Sequence, residues 1–320
     1  MYSFRMLGFG LARGRLTVTN EDISKLVDTS DEWITSRTGI KSRYISRQEN
    51  TSDLGLSAAK MAIEDAGIDR AEIGLIIAAT MTPDNFTPST ACLIQQKLGL
   101  SDCEVTAFDL NAACSGFIYA LKTALALLPE HKKALVIGAE TLSKLIDWTD
   151  RSTCILFGDG AGAVVLSREK CSCADFYTRS CGDEKQVLTA GGISMNALCN
   201  SPKDYSYLRM DGQEVFRFAV NAIADASMKV LRKNNLSMED IDLIIPHQAN
   251  IRIISAAARK LGAPESKFFT NLQSYGNTSA ASVAIALAQC RQEGRLKKGM
   301  KILLVGFGAG LTYGAAYINF

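Results

Sequence analysis

The sequence predicts an α/β protein made of two βα halves that descend from one unit and pack together. Three observations predict it: a repeat at one fixed offset, short unbroken apolar runs, and helical stretches alternating with those runs. "AGIDRAEIGLIIAAT" (66–80) resembles "NNLSMEDIDLIIPHQ" (234–248), pairing Ile68 with Leu236, Ile73 with Ile241 and Ile77 with Ile245 (236 − 68 = 241 − 73 = 245 − 77 = 168). The same offset aligns "ALVIG" (134–138) with "ILLVG" (302–306). Two separate matches at one spacing mark a duplication.

The elements follow in order. "IGLIIAA" (73–79), "VTAFDL" (105–110), "KALVIGA" (133–139) and "AGAVVLS" (161–167) lack polar alternation and predict strands buried on both faces. "SAAKMAIEDAG" (57–67) and "GFIYALKTALALL" (116–128) predict helices between them. Strands separated by helices predict parallel pairing with helices covering the sheet. The boundary is expected in the Cys-rich stretch around 170–200, giving halves 1–170 and 171–320. Ligands in such sheets bind at the strands' carboxyl ends.

Bulk properties narrow the class. The 320 residues are 47% apolar and 21% charged, an ordinary soluble composition. A net charge of +2 gives no case for a nucleic-acid or membrane surface. No apolar run approaches the ~20 residues that span a bilayer, and the start is too broken by Gly and Arg for a secretion signal. A cytoplasmic enzyme is the default. Nine cysteines in such a chain are expected as free thiols, and the C-x-C in "CSCADFYTRSC" fits zinc poorly. No metal is expected.

Three polar interruptions fall at strand ends. In "FDLNAACSGF", Cys114 stands where a strand gives way to a helix, and the positive helix end favours its thiolate. The alternative is a small core cysteine. In "LIIPHQANIR", Pro246 is expected to end the strand's hydrogen bonding and place His247, one of only two histidines, at the sheet edge. Its counterpart is Ala79 (247 − 168), so the fold itself does not require a histidine there. In "LQSYGNTSAAS", Gly276 and Asn277 form a turn whose Thr278 or Ser279 can cap the next helix. Cys114 and Asn277 thus hold roughly corresponding places, with His247 available between them. The turn "VGFGAGLTYG" (305–314) offers backbone amides to an oxyanion. It lacks the helix and acidic residue that dinucleotide binding requires.

"AACSGF", "PHQAN", "GNTSAAS", "VDTSDEWITSRTGI" and "FGDGAGAVVL" together resemble the β-ketoacyl-acyl-carrier-protein synthase III family, over essentially the whole chain. The resemblance implies the duplicated thiolase fold with a layered α-β-α-β-α core, a homodimer, and a Cys114–His247–Asn277 triad. It implies decarboxylative condensation of an acyl-CoA with malonyl-acyl-carrier protein, with no cofactor. Thiolases carry a second cysteine where this chain reads "FGAG", and elongating synthases need a second active-site histidine, whereas His131 reads as a surface residue. An oxyanion hole from the amides of Cys114 and Ala309 is implied, although some relatives have Gly at the latter position. The resemblance assigns coenzyme A contacts to Trp33, Arg37, Arg151 and Asn250. It assigns carrier-protein docking to Arg217, Arg252, Arg259 and Lys260, and an acyl pocket to Phe86, Leu145, Leu156 and Leu208, with Phe86 reaching a partner's pocket. "GFGLARGRL" departs by lacking an expected proline, and the Cys-rich segment has no functional account. A synthase-III-like acyltransferase of specialised, polyketide-like metabolism and a non-catalytic partner subunit are the alternatives.

Overall fold

Two central sheets organise the computed structural model, which describes residues 3–128, 132–170, 173–191 and 207–320. The first half runs β1 (Ser3–Arg13), β2 (Leu16–Thr19), α1 (Asn20–Ile23), α2 (Asp31–Thr38), β3 (Ser42–Ile45), α3 (Thr51–Ala66), β4 (Ile73–Ala79), α4 (Thr90–Lys97), β5 (Thr106–Leu110), α5 (Gly116–Leu127), β6 (Lys133–Glu140), α6 (Arg151–Cys154) and β7 (Gly160–Glu169). The second runs β8 (Ala174–Ser180), β9 (Leu188–Thr189), β10 (Arg209–Met210), α7 (Gly212–Lys233), β11 (Leu243–Pro246), α8 (Ile251–Leu261), α9 (Leu272–Tyr275), α10 (Ala281–Gln292), β12 (Lys301–Gly308) and β13 (Thr312–Asn319).

The first sheet has the order β1-β7-β6-β4-β5 and the second β11-β12-β13-β8. The duplication maps β4, β6, β7 and β1 onto β11, β12, β13 and β8. β6 and β12 match end to end at the repeat's offset (301 − 133 = 308 − 140 = 168). In the second sheet β5's place is held by a single bridge, Ile244 to Phe268.

The sheets are mixed, not parallel throughout. β6, β4 and β5 run parallel, as do β11 and β12, but β7, β1, β13 and β8 pair antiparallel. The reason lies in the connections: β12 turns straight back into β13, and only short turns and α6 separate β6 from β7, so neither return has a crossover helix. β5 is half-buried because it closes one edge.

Three main apolar clusters fill the layers among the described residues. α3 and α4 cover the outer face of the first sheet, α7 and α8 that of the second, and α5 and α10 lie between the sheets. The middle helices are apolar because both sides are covered: Phe117, Ile118 and Leu121 of α5 are fully buried. Burying Phe117 stabilises the fold by about 1.5–3 kcal/mol. Alanines recur along α10 and let β7 approach it; a methyl on Gly162 would lie 2.3 Å from the Ala284 backbone carbon.

Among the described residues no helix is long and apolar enough to cross a membrane. Six described cysteines are free thiols. Cys173 instead is disulfide-bonded, which corrects the free-thiol expectation at that position: crowded thiols bring sulfurs within bonding reach. Cys171, Cys199 and His131 lie outside the described residues.

Candidate active site

Each half's central strand ends against the other half's middle helix. After β5, the chain makes a 3-10 turn at Ala113–Ser115 and enters α5 at Gly116. β12 passes directly over that turn. A methyl on Gly306 would lie 2.9 Å from Ser115 Cα, and one on Gly308 would lie 2.8 Å from Cys114 N and 3.1 Å from its Sγ. Glycine at 308 is therefore what lets the β12–β13 turn sit against the cysteine. Two hydroxyls fasten the contact. Thr312 Oγ1 lies 2.9 Å from the Ala309 carbonyl and 2.8 Å from Ser115 Oγ, which donates to the Ala112 carbonyl at 2.8 Å. Among the described residues the Ala309 N–H donates to no backbone carbonyl.

His247 follows β11. Its backbone N–H donates to the Val305 carbonyl at 2.7 Å, so strand pairing continues one residue past Pro246 instead of ending there. The proline is tolerated because β11 is an edge strand and its missing N–H falls on the open side. The imidazole is buried and packs edge-on against Phe307, with ring centroids 5.0 Å apart. Burial pushes its pKa down to about 3, so the ring is neutral, and Nδ1 has no hydrogen-bond partner among the described residues.

Asn277 bridges to Phe157, with its N–H on the Leu156 carbonyl (2.8 Å) and its carbonyl taken by the Gly158 N–H (3.0 Å). Oδ1 accepts the Ser279 N–H at 2.9 Å. A backbone N–H needs an oxygen, so this bond fixes the amide and leaves Nδ2 as the free donor. Neither Thr278 nor Ser279 caps α10 with its side chain, contrary to the expectation; the N-cap residue is Ala280, whose N–H goes to Glu140 Oε1 at 3.4 Å. Asn277 lies four residues before α10 begins and Cys114 two before α5, so the two do not hold strictly corresponding places.

The expected thiolate is not what the environment favours. Burial pushes the Cys114 thiol up to about 12; a hydrogen bond with the Ser279 side chain opposes this, and the Glu140 charge adds to it. Loss of water outweighs the helix end, because Sγ is covered by β12 and the Ser279 turn.

Cys114, His247, Asn277 and Ala309 line one cavity of about 670 Å³, together with Leu156, Leu208, Trp33, Arg37, Asn250, Arg217 and Arg252. Its described wall carries three arginines and no carboxylate. Trp33 is flanked by the guanidinium carbons of Arg37 and Arg151, 4.7 and 4.9 Å from the ring. Arg151 does not itself line the cavity; it lies behind Trp33, bonded to the Asp28 carbonyl at 2.9 Å. Arg259 and Lys260 are exposed on α8, away from the cavity wall, and Lys260 bonds Asn221. Leu145 lies outside the wall, and its carbonyl accepts the Leu208 N–H at 2.8 Å. Phe86 is 84% exposed and does not reach this chain's cavity. Sequence reasoning missed Leu142, Met81 and Phe307 on the wall; only Phe307, inside the glycine-rich turn, carried a signal.

This duplicated, five-layered fold with a buried cysteine at the junction of its halves is of the thiolase type. Profiles of 3-oxoacyl-[acyl-carrier-protein (ACP)] synthase III match residues 108–200 and, for its C-terminal part, 231–320. Beta-ketoacyl-[acyl-carrier-protein] synthase III of Clostridium perfringens is 51% identical over 325 residues, covering 100% of both chains. The crystal structure of 3-oxoacyl-[acyl-carrier-protein] synthase III from Aquifex aeolicus VF5 superposes with a TM-score of 0.92 at 44% identity, covering 99% of this chain and 100% of that one. The priming β-ketosynthase from the R1128 polyketide biosynthetic pathway superposes at 0.91 with 36% identity, covering 98% and 96%. The chain belongs to the 3-oxoacyl-[acyl-carrier-protein] synthase III family.

Proposed function

We propose that the protein condenses an acyl-CoA primer with malonyl-acyl-carrier protein, releasing CoA and CO₂ and giving a β-ketoacyl-carrier protein, the first condensation of fatty-acid synthesis. The observation that carries this reading is one cavity holding a thiol from the first half, a neutral imidazole and an amide donor from the second, and cationic but no anionic wall groups. Full-length similarity to synthases of fatty-acid type at 51% identity favours it over a polyketide role.

Cys114 Sγ attacks the primer's thioester carbonyl. The new C–S bond replaces that to CoA, and the thiol proton leaves on CoA. The amides of Cys114 and Ala309 receive the oxyanion, one from each half. Because the resting thiol is neutral, the reaction needs no separated charge before substrate arrives. The malonyl thioester then loses CO₂, and the electron pair moves onto its thioester oxygen. His247 Nε2–H and Asn277 Nδ2–H donate to that oxygen; a carboxylate there would repel it. The resulting carbanion attacks the acyl-Cys114 carbonyl, and the departing thiolate takes a proton from solvent.

Arg37, Arg151 and Trp33 hold the adenine and phosphate end of CoA, with Asn250 beside them; the flanked indole is suited to a planar, anionic ligand. Arg217 and Arg252 at the cavity, with Arg259 and Lys260 further along α8, present positive charge to the acidic carrier protein. Leu156 and Leu208, with Leu145 behind, bound the acyl chain. Phe86, large, apolar and exposed, completes the pocket of a second copy in a homodimer. The enzyme works in the cytoplasm and without a cofactor.

The test is product analysis by mass spectrometry after mixing the protein with malonyl-carrier protein and a panel of acyl-CoAs. A β-ketoacyl-carrier protein formed only with primer supports the reading and ranks the primers. Acylated Cys114 without any condensation product contradicts it.

A further inference from the structure

Glu140 ends β6 with its side chain fully buried between the halves. The repeat places it opposite Gly308 (308 − 140 = 168), and Gly138 opposite Gly306 (306 − 138 = 168). The contacts obey the same symmetry. Gly306 and Gly308 press on the turn that opens α5. A methyl on Gly138 would lie 2.4 Å from the Ala280 carbonyl oxygen, in the turn that opens α10. Each turn carries one non-glycine residue in the left-handed region, Ala113 with φ 45° and Ser279 with φ 46°.

The symmetry breaks at one side chain. Where Gly308 presents no side chain to the Cys114 amide, Glu140 reaches the corresponding turn and accepts the Ala280 N–H at 3.4 Å. Its oxygens also take the Met81 N–H at 3.2 Å, the Thr80 hydroxyl at 3.2 Å and the Thr82 hydroxyl at 2.5 Å. One helix start is thus left open for an oxyanion, and its twin is filled by a built-in anion. Ser279, held in the left-handed region, donates the N–H that fixes Asn277 Oδ1. The left-handed region is unfavourable outside glycine, so the turn needs an external hold, and Glu140 supplies one.

We propose that Glu140 is a positioning residue for decarboxylation, pinning the Asn277–Ala280 turn so that Asn277 Nδ2 points into the cavity. This rests on the proposed roles of Cys114 and Asn277. Burial raises the Glu140 pKa to about 7, against the lowering effect of the donors around it.

The test separates the two half-reactions in wild type, Glu140→Gln, Asn277→Ala and the double variant. Acylation of Cys114 is followed from radiolabelled acyl-CoA, and CO₂ release from carboxyl-labelled malonyl-carrier protein. Glutamine keeps the volume but has only one acceptor oxygen for four donors. The expected result is CO₂ release lowered about tenfold or more in Glu140→Gln, acylation within about threefold of wild type, and a double variant no slower than Asn277→Ala alone. Thr82→Val, which removes the hydroxyl nearest Oε2, is the second variant and should lower CO₂ release in the same way with acylation unchanged. Equal losses in both half-reactions, additive losses in the double variant, or wild-type CO₂ release in both single variants would overturn the assignment. If wild type itself released no CO₂, the proposed function would fall first, a separate outcome.

Discussion

Gly308 lies so close to Cys114 that a methyl in its place would sit 2.8 Å from the cysteine's nitrogen and 3.1 Å from its sulfur. A real Cβ does not tolerate such distances, so either the β12–β13 turn or the Cys114 turn must shift. Gly308→Ala is therefore expected to disturb the thiol and the amides of Cys114 and Ala309 while the distant layers keep their packing. Acylation from acyl-CoA should fall by about a hundredfold or more, with the far-ultraviolet circular dichroism unchanged. Acylation at the wild-type rate would show that the close approach has no bearing on the chemistry.

The buried thiol gives a second prediction. With its pKa at about 12, Cys114 in the resting enzyme is almost wholly protonated at neutral pH. Its alkylation by iodoacetamide should accelerate about tenfold per pH unit between pH 7 and 9 without levelling off. A plateau near pH 7 would mean that a thiolate is already present.

How much of this was legible beforehand differs by residue. The match of β6 to β12 could be read because both strands are buried on both faces and kept the same apolar letters. Cys114 and His247 stood out because polar residues at strand ends interrupt apolar runs; Asn277 stood out in a Gly-Asn turn, which the structure places between α9 and α10 and not at a strand end. The protonation of Cys114 and His247 could not be read: it depends on water excluded by residues distant in sequence. The cap on α10 was misread for the same reason, since Thr278 and Ser279 are the local candidates and Glu140 is 140 residues away from Ala280. The direction of β7 was misread because buried antiparallel and parallel strands share one composition. Arg151 behind Trp33, and Leu145 behind Leu208, show that a motif identifies a neighbourhood but not which side chain forms its wall.

Glu140 and His247 should leave opposite marks on stability. The His247 pKa falls from 6.5 to about 3 on folding, so its contribution is present above pH 6.5 and is lost as pH falls toward 3. The Glu140 pKa rises from 4.5 to about 7, so its contribution is complete below pH 4.5 and is lost as pH rises through 7. Between pH 4.5 and 6.5 the two slopes, each about 1.4 kcal/mol per pH unit, oppose one another. In Glu140→Gln only the histidine slope remains. Urea denaturation across this range should show the stability difference between wild type and variant changing by roughly that slope. A difference independent of pH would mean that the carboxyl is not shifted.

The arginines at the mouth should act on association. Arg252→Glu and Arg217→Glu should raise KM for malonyl-carrier protein about tenfold, most at low salt, and leave Cys114 acylation from short acyl-CoA within about threefold. Equal effects on both substrates would place these side chains with CoA and not with the carrier protein. Arg217 also pairs with Glu214 at 3.2 Å, so its effect should be the smaller of the two.

The central claim is that Cys114 takes the acyl group while Asn277 and His247 serve the decarboxylation that follows. Release of labelled CO₂ from malonyl-carrier protein, measured beside acylation of Cys114 in wild type and Asn277→Ala, tests it most directly. The account predicts that the variant acylates within about threefold of wild type and loses CO₂ release by about a hundredfold or more. A variant that still releases CO₂ at the wild-type rate, or that fails to acylate, would contradict it.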